Sequence, residues 1–135
     1  MVSIIHAPTQ DKPFGKTFTV RFINNVVGGK PILYLNLDMP DLKALVLSQM
    51  QAGEIVWFGS DVGHFGDRDL GAWFNDLYDY KGVLGLDLAM SKEDRLDYRQ
   101  SAMNHAMVLT GVNLEDDKPN RWRIENSWGE ERGKK

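Results

Sequence analysis

Two strand-like segments that flank an acidic turn constrain the fold of this chain more than any other feature of its sequence. Residues 106–112 are a largely apolar strand candidate, and residues 121–126 alternate, with Trp122 and Ile124 on one face. The connection, residues 113–120, holds three consecutive acidic residues and a proline, which favour a turn. Two strands joined in this way are predicted to pair as an antiparallel hairpin.

The hairpin brings distant polar residues to one end. If Val112 pairs near Arg121, the numbers of paired residues sum to about 233, and His105 lies opposite about position 128. His105 and Asn126, which are 21 residues apart in the sequence, then come close together. A side-chain amide that holds an imidazole fixes the tautomer and the orientation of the ring. The register therefore predicts a His–Asn pair at the open end of the hairpin.

The remainder of the chain is predicted to mix short strands and helices. The predicted strands are residues 17–22, 32–37 and 55–58, of which the first two pair through a long loop and the third is buried. The predicted helices are residues 38–53 with Asp38 or Asp41 as the cap, 70–80, and 92–100 behind a Ser91–Asp94 capping box. Residues 1–16 and 59–71 are expected to be extended or looped. Since no βαβ rhythm is present, the pattern favours an α+β class and one domain over residues 1–135.

Composition excludes several classes of function. The 135 residues include no cysteine, which excludes a disulfide framework, a cysteine-based zinc site and a cysteine nucleophile within this chain. A net charge of −3 disfavours a general nucleic-acid-binding surface. No apolar run approaches the roughly 18–20 residues of a membrane span, and the N-terminus lacks the pattern of a secretory signal. We therefore expect neither a membrane nor a nucleic acid as a partner.

Alternative sites in the sequence are weaker. Asp61, His64, Asp67 and Asp69 match no established metal-binding loop, and the glycines among them favour a solvated turn. The acidic run of residues 115–117 lacks the alternating ligands of a calcium loop. No serine lies in the elbow motif of serine hydrolases. We predict no metal and no cofactor, and we expect the remaining tryptophans to be core or interface residues: Trp57, Trp73 and Trp122.

Two motifs at the open end of the hairpin resemble those of papain-like cysteine peptidases. Asn104-His105-Ala106-Met107 is similar to the histidine motif, and Glu125-Asn126-Ser127-Trp128-Gly129-Glu130 is similar to the asparagine motif. The segments that narrow the resemblance to the bleomycin hydrolase and aminopeptidase C branch are residues 56–63, 95–98 and 103–133. A lone histidine at the start of an apolar strand is more often structural. The Asn-Ser-Trp-Gly motif at this spacing favours a catalytic one.

The resemblance implies a partial papain-like fold and a role for each residue of the site. His105 would hold a cysteine nucleophile as the thiolate and later protonate the leaving amine, while Asn126 would accept from the imidazole N–H. Trp128 would cover that hydrogen bond and exclude water from it. The reaction would be hydrolysis of the N-terminal peptide bond of short peptides. The family is typically cytoplasmic and hexameric, with active sites that face an internal cavity, so a cytoplasmic homo-oligomer is expected.

The chain departs from this family in three respects. It lacks the nucleophilic Cys and the oxyanion-hole Gln of the family's N-terminal half, it stops where the family continues, and it has Ser60 where many relatives have Cys. We therefore expect residues 1–135 to be a C-terminal-side fragment of a papain-like peptidase domain, inactive alone and prone to self-association. The alternative is a non-catalytic interaction or assembly module that retains the peptidase hairpin.

Overall fold

The computed structural model describes residues 3–23 and 26–129, and within these ranges short strands and helices are interspersed. The elements are β1 Ser3–Ile5, β2 Thr17–Phe18, β3 Tyr34–Asn36, α1 Met39–Gln51, β4 Val56–Ser60, β5 Gly66–Asp67, β6 Ala72–Trp73, α2 Tyr80–Leu84, α3 Lys92–Asp97, β7 His105–Glu115 and β8 Lys118–Glu125. This mixture confirms the predicted α+β class. None of the helices in the described ranges has both the length and the apolar character needed to cross a bilayer.

The described strands form two three-stranded sheets and one two-stranded ribbon. The first sheet has the order β1-β3-β2, in which β1 is parallel and β2 antiparallel to β3. The second has the order β4-β7-β8 with antiparallel pairs, and β5 and β6 form the ribbon. The predicted pairing of the segments that contain β2 and β3 is confirmed. The second sheet contains the predicted hairpin, so it determines where the candidate site lies.

Helix α1 connects the two sheets, and local chemistry fixes both of its ends. The carboxylate of Asp38 accepts the backbone N–H of Asp41 at 2.9 Å, which satisfies a donor of the first turn. Pro40 lies in that turn, where its missing N–H costs nothing. Beyond the last turn, Gly53 has a φ of +81°, a left-handed conformation that ends helices. The predicted helix is confirmed, and it packs against β4 and β7.

The β7–β8 hairpin is longer and its turn is tighter than predicted. Asp116 and Asp117, with φ of 49° and 60°, make a two-residue turn whose left-handed residues match the twist of the strands. The prediction of a turn over residues 113–120 is therefore wrong in extent. At both ends of the hairpin the paired numbers sum to 233, as predicted, for Val108 with Glu125 and Glu115 with Lys118. Irregularities between these ends pair Val112 with Trp122 instead of Arg121.

One prediction about the N-terminal third is wrong in extent. The strand predicted over residues 17–22 ends at Phe18, and Phe22 has a φ of +64°, which an extended strand does not allow. Residues 3–16 agree with the expected extended or looped chain, and their extended part is β1, which pairs with β3. Asn36 of β3 is fully buried and bonds to this N-terminal segment through Ala7 and Lys12, at 2.6–2.9 Å. Pairing with a distant strand, which local periodicity does not report, creates this element.

Further corrections concern the middle of the chain. The strand β4 is not buried, since its side chains alternate between half-buried and exposed, and Trp57 is 73% exposed. Residues 70–80 are not a helix, because β6 occupies their first part and α2 begins only at Tyr80. Helix α3 begins with the predicted capping box, in which the Ser91 hydroxyl accepts the Asp94 N–H at 3.0 Å, but it ends at Asp97. Among the described residues, Met107 is the one large apolar residue that is buried, at 4% exposure.

Candidate active site

Three strands of the second sheet bring the predicted site residues to one end. His105 is the first residue of β7 and pairs with Ser60, the last residue of β4. Asn126 directly follows β8, the other neighbour of β7. Residues paired in an antiparallel ladder present their side chains on the same face, so Ser60 and His105 share a face of the sheet. The site therefore lies at the end of the β4–β7–β8 sheet, where backbone pairing stops but fixes the adjacent residues.

The side chains of His105 and Asn126 are in contact, at the position that the register predicts. Nε2 of the imidazole lies 2.8 Å from Oδ1 of the amide, and Oδ1 also accepts the backbone N–H of Ser127 at 2.8 Å. Because an amide oxygen only accepts, Nε2 carries a proton and donates it to this bond. In the neutral ring, the lone pair of Nδ1 is then available to take up a proton. The amide thus selects one tautomer and leaves Nδ1 as the basic nitrogen.

An aromatic cluster covers this hydrogen bond. The ring of Trp128 stacks on the imidazole of His105, with a centroid distance of 4.9 Å and an interplanar angle of 25°. Trp73 of β6 lies 6.3 Å from Trp128, and the guanidinium carbon of Arg68 lies 5.5 Å from the Trp128 ring centroid. The indole N–H of Trp73 donates to the carbonyl of Val62 at 3.4 Å. Groups from the β5–β6 ribbon therefore hold Trp128 in place over the imidazole.

The residues that lead into His105 are held by Asp61. Burial raises the pKa of its carboxyl group, but hydrogen bonds from four donors outweigh burial, and the pKa lies below its usual 3.8. Those donors are the Gly63 N–H at 2.9 Å and the Asn104 amide at 3.0 Å on Oδ1, and the Ser101 hydroxyl at 2.9 Å and the Ala102 N–H at 3.3 Å on Oδ2. The carboxylate is thus a charged acceptor that joins the turn after β4 to the segment before β7.

The four residues considered as metal ligands serve as turn and surface residues instead. Asp67 accepts the backbone N–H groups of Asp69 and Leu70 at 2.8 and 2.9 Å. His64 is more than half exposed, and its Nε2 lies 3.8 Å from Asp61. Across residues 3–23 and 26–129, no three His, Asp or Glu side chains are grouped so that they could hold an ion. The carboxylate of Asp67 is therefore accounted for by a local turn, whereas that of Asp61 joins two distant segments.

Two residues of the site have roles that the sequence does not indicate. No pattern points to Arg68, and the sequence indicates Asp61 only as a metal-ligand candidate. Asp61 acts through contacts with residues 40 to 43 positions away, which periodicity does not encode. One signal was available, because an aspartate directly after a strand often accepts an N–H two residues further on, as Asp61 does from Gly63. Trp73 packs against Trp128, whereas Trp57 is mostly exposed and is not part of a core.

The fold now defines the class of protein. An antiparallel hairpin that carries an imidazole–amide pair beneath an indole, within an α+β chain, is the β-rich part of a papain-like peptidase fold. The crystal structure of PepW from Lactobacillus rhamnosis has this architecture and matches the chain with a TM-score of 0.94 and 51% identity, over 99% of this chain and 30% of that one. The predicted papain-like fold is therefore confirmed.

The chain belongs to the Peptidase C1-like family, whose sequence profile matches residues 1–135. It is 49% identical over 132 residues to Aminopeptidase C of Lactobacillus delbrueckii subsp. lactis and 51% identical over 135 residues to Aminopeptidase C of Lactococcus lactis subsp. cremoris. It is 39% identical over 138 residues to bleomycin hydrolase of Homo sapiens. These alignments cover 98–99% of this chain but 29–31% of the relatives, so the chain spans about 30% of their length. The resemblance to the bleomycin hydrolase and aminopeptidase C branch is confirmed.

Proposed function

We propose that this chain is the part of a cysteine aminopeptidase that supplies the catalytic histidine, His105, and its orienting asparagine, Asn126. The observation that carries the proposal is the 2.8 Å contact between Nε2 and Oδ1, covered by Trp128. Relatives named aminopeptidase C and bleomycin hydrolase support a peptidase reaction. The substrates are short peptides, hydrolysed at the N-terminal bond. As the family resemblance implies, the assembled enzyme is a cytoplasmic homo-oligomer, a hexamer.

In this mechanism the imidazole moves a proton at Nδ1. Nδ1 takes the proton of a cysteine thiol, the resulting thiolate attacks the peptide carbonyl, and the imidazolium returns the proton to the leaving amine. The Nε2–H is present in both the neutral and the protonated ring, so the bond to Asn126 persists through both transfers. The ring therefore keeps one orientation while its charge changes. Trp128 shields the bond from water, which strengthens it.

The thiol comes from outside these 135 residues, because they contain no cysteine. The relatives extend well beyond the matched region, and we place the nucleophile, the oxyanion-hole donor and much of the substrate pocket in such additional segments. The chain then provides a base and its support but no nucleophile. We accordingly propose that the isolated chain has no peptidase activity.

A chimeric enzyme tests this function. In it, the chain replaces the matching 135 residues of Lactococcus lactis aminopeptidase C, to which it is 51% identical. We expect the chimera to release the fluorophore from an aminoacyl substrate and His105→Ala to reduce turnover to background. Asn126→Ala keeps His105 but no longer fixes the orientation of its imidazole ring, so kcat is expected to fall roughly 10- to 100-fold. Undiminished turnover by His105→Ala would overturn the proposal.

The activity of the isolated chain, together with the melting and mass of the chimera, distinguishes the catalytic function from a non-catalytic module. With the same substrate, the isolated chain is expected to give no turnover above a buffer blank, and measurable turnover would contradict its proposed inactivity.

The absence of cysteine favours the second candidate function, a non-catalytic interaction or assembly module. That module predicts a chimera that melts cooperatively and assembles like the parent enzyme, yet lacks activity. Melting and mass are therefore measured on every variant.

A further inference from the structure

We propose that Asp61 is a positioning residue for His105: its carboxylate sets the path of residues 101–104 and, through them, the place of the imidazole. The inference rests on the proposed function of His105 and deepens it. Asp61 lies outside the histidine and asparagine motifs, on the turn that follows β4. Its four hydrogen-bond donors occupy the carboxylate, so we assign it no contact with substrate.

The first argument is the way in which Asn104, the residue before His105, is fixed. The β4–β7 ladder ends at the pair of Ser60 and His105. One step further, the backbone N–H of Asn104 donates to the Ser60 carbonyl at 3.1 Å. Its side-chain amide accepts the Val62 N–H at 3.1 Å and donates to Asp61 at 3.0 Å. Backbone and side chain of Asn104 are thus both tied to the turn after β4.

The second argument is that one carboxylate holds both ends of the segment that leads into His105. Oδ1 accepts from Asn104, while Oδ2 accepts from Ser101 and Ala102. The Asp61 side chain is 14% exposed, and its loss would remove the protein acceptor of the Gly63 and Ala102 N–H groups and of the Ser101 hydroxyl. Bonds to an ionised carboxylate are also stronger than those between neutral groups. This one side chain therefore joins both ends of the segment to the turn after β4.

The third argument is that the same turn supports the cover over the imidazole. The carbonyl of Val62, the residue after Asp61, accepts the indole N–H of Trp73. Trp73 packs against Trp128, which stacks on His105. The turn after β4 thus contacts both the chain that leads into the imidazole and the aromatic cluster above it. A change in this turn would therefore reach the His105 imidazole both through residues 101–104 and through Trp73 and Trp128.

The experiment compares variants in the chimera described above. Asp61→Ala removes all four acceptor contacts, Asp61→Asn keeps one acceptor oxygen, and Asn104→Ala removes only the link next to His105. We expect kcat to fall roughly 10- to 100-fold in Asp61→Ala, less in the other two, with KM within about 3-fold of the parent. Asp79→Asn is the matched control for Asp61→Asn, because Asp79 also accepts a backbone N–H, from Gly82 at 2.7 Å, but at the N-cap of α2. Its kcat should be unchanged.

A second readout is independent of activity. In the isolated 135-residue chain, long-range ¹⁵N–¹H spectra report which ring nitrogen of His105 carries the proton. We expect the Nε2–H form in the parent chain and in Asp79→Asn, and a mixture of tautomers in Asp61→Ala. If Asp61→Ala does not fold, Asp61→Asn and Asn104→Ala provide the comparison.

The outcomes separate this inference from the proposed function. An inactive His105→Ala, together with parental kcat and parental spectra in the folded Asp61 and Asn104 variants, would refute the role of Asp61 and leave the proposed function standing. An active His105→Ala would refute the proposed function, and the tautomer spectra alone would then decide whether Asp61 positions the ring. A lower kcat with altered tautomers supports the inference.

Discussion

The proposed role of His105 as a base at Nδ1 requires the tautomer that carries its proton on Nε2, and two neighbouring side chains contact the ring. Asn126 supplies the acceptor, at a spacing that the hairpin register brings together. Trp128 lies against the ring, and Arg68 and Trp73 hold Trp128 in turn. The contact of His105 with Asn126 follows from strand pairing, which the local sequence predicts. The supports of Trp128 come from a ribbon that no motif predicts.

A substitution of Trp128 tests whether this cover protects the hydrogen bond. In Trp128→Ala, water reaches the Nε2–H, and we expect its proton signal in ¹⁵N–¹H spectra of the isolated chain to broaden through faster exchange with solvent. Trp128→Phe keeps a stacked ring and should retain most of the signal. Tyr98→Ala is the control, because Tyr98 follows α3 and its side chain is mostly exposed. An unchanged signal in Trp128→Ala would show that the indole does not shield the bond.

Elements in this chain begin and end where local chemistry is strong. Helix caps at Asp38 and Ser91 lie where the sequence predicts them, because the capping interaction spans only a few residues. The lengths of the strands, in contrast to the helix ends, are determined by their pairing partners. Residues 17–22 have a strand-like pattern, yet only two of them pair. Conversely, β7 continues through residues predicted to be a turn, because β8 supplies partners up to Lys118.

The turn of the β7–β8 hairpin allows a test of backbone strain. Asp117 has a φ of 60°, a conformation that costs most residues with a Cβ about 1 kcal/mol or more. We expect Asp117→Gly to have a free energy of unfolding about 1 kcal/mol higher than that of Asp117→Ala, measured by chemical denaturation. Both variants remove the same charge, so their difference isolates the backbone term. Equal stabilities would argue against strain at this position.

The contact between His6 and α3 is expected to make stability depend on pH. Nδ1 of His6, just after β1, lies 3.0 Å from Nζ of Lys92, the first residue of α3, and the ring stacks on Phe14. Burial, and next the charge of Lys92, lower the pKa of His6 below 6.5, although Asp38 acts in the opposite direction. The unfolded chain therefore binds a proton near pH 6.5 that the folded chain resists, and acidification through this range favours unfolding.

His6→Gln removes this titration. The free energy of unfolding of the parent chain, relative to that of His6→Gln, should fall as the pH is lowered from about 8 to about 5.5. Lys92→Gln, which removes one cause of the lowered pKa, should give a smaller fall than the parent. Parallel pH dependences for the parent and His6→Gln would mean that His6 does not contribute.

Considered as a whole, the chain exposes more surface than a compact monomer does, and large apolar side chains are part of that surface. Its accessible surface is 11135 Å², against about 7,100 Å² for a compact monomer of 15.3 kDa. Large side chains that are mostly exposed include Trp57, Val83 and Met103. In the described part of the chain β4 is also an edge strand, whose free N–H and C=O groups can pair with another strand. In an intact enzyme, we expect further chain to cover these surfaces.

We therefore predict that the isolated chain self-associates. Light scattering at increasing concentration should give a mass above 15.3 kDa. Trp57→Ser, which removes apolar surface from the β4 edge, should lower this mass, whereas Lys43→Ser on the exposed side of α1 should not. A single species of monomer mass at high concentration would contradict the prediction.

The sequence by itself determined the family, the α+β class, the helix caps and the register of the hairpin, because these follow from motifs, from interactions a few residues long and from one turn. It also determined that no cysteine lies in these 135 residues. Tertiary structure decided the position of β1, the exposure of Trp57, the packing of Trp73 and Arg68 on Trp128, and the contacts of Asp61. Each of these depends on which distant segments meet. Distant segments pack together only when many weak contacts form at once. Their total free energy cannot be read from a local pattern of residues.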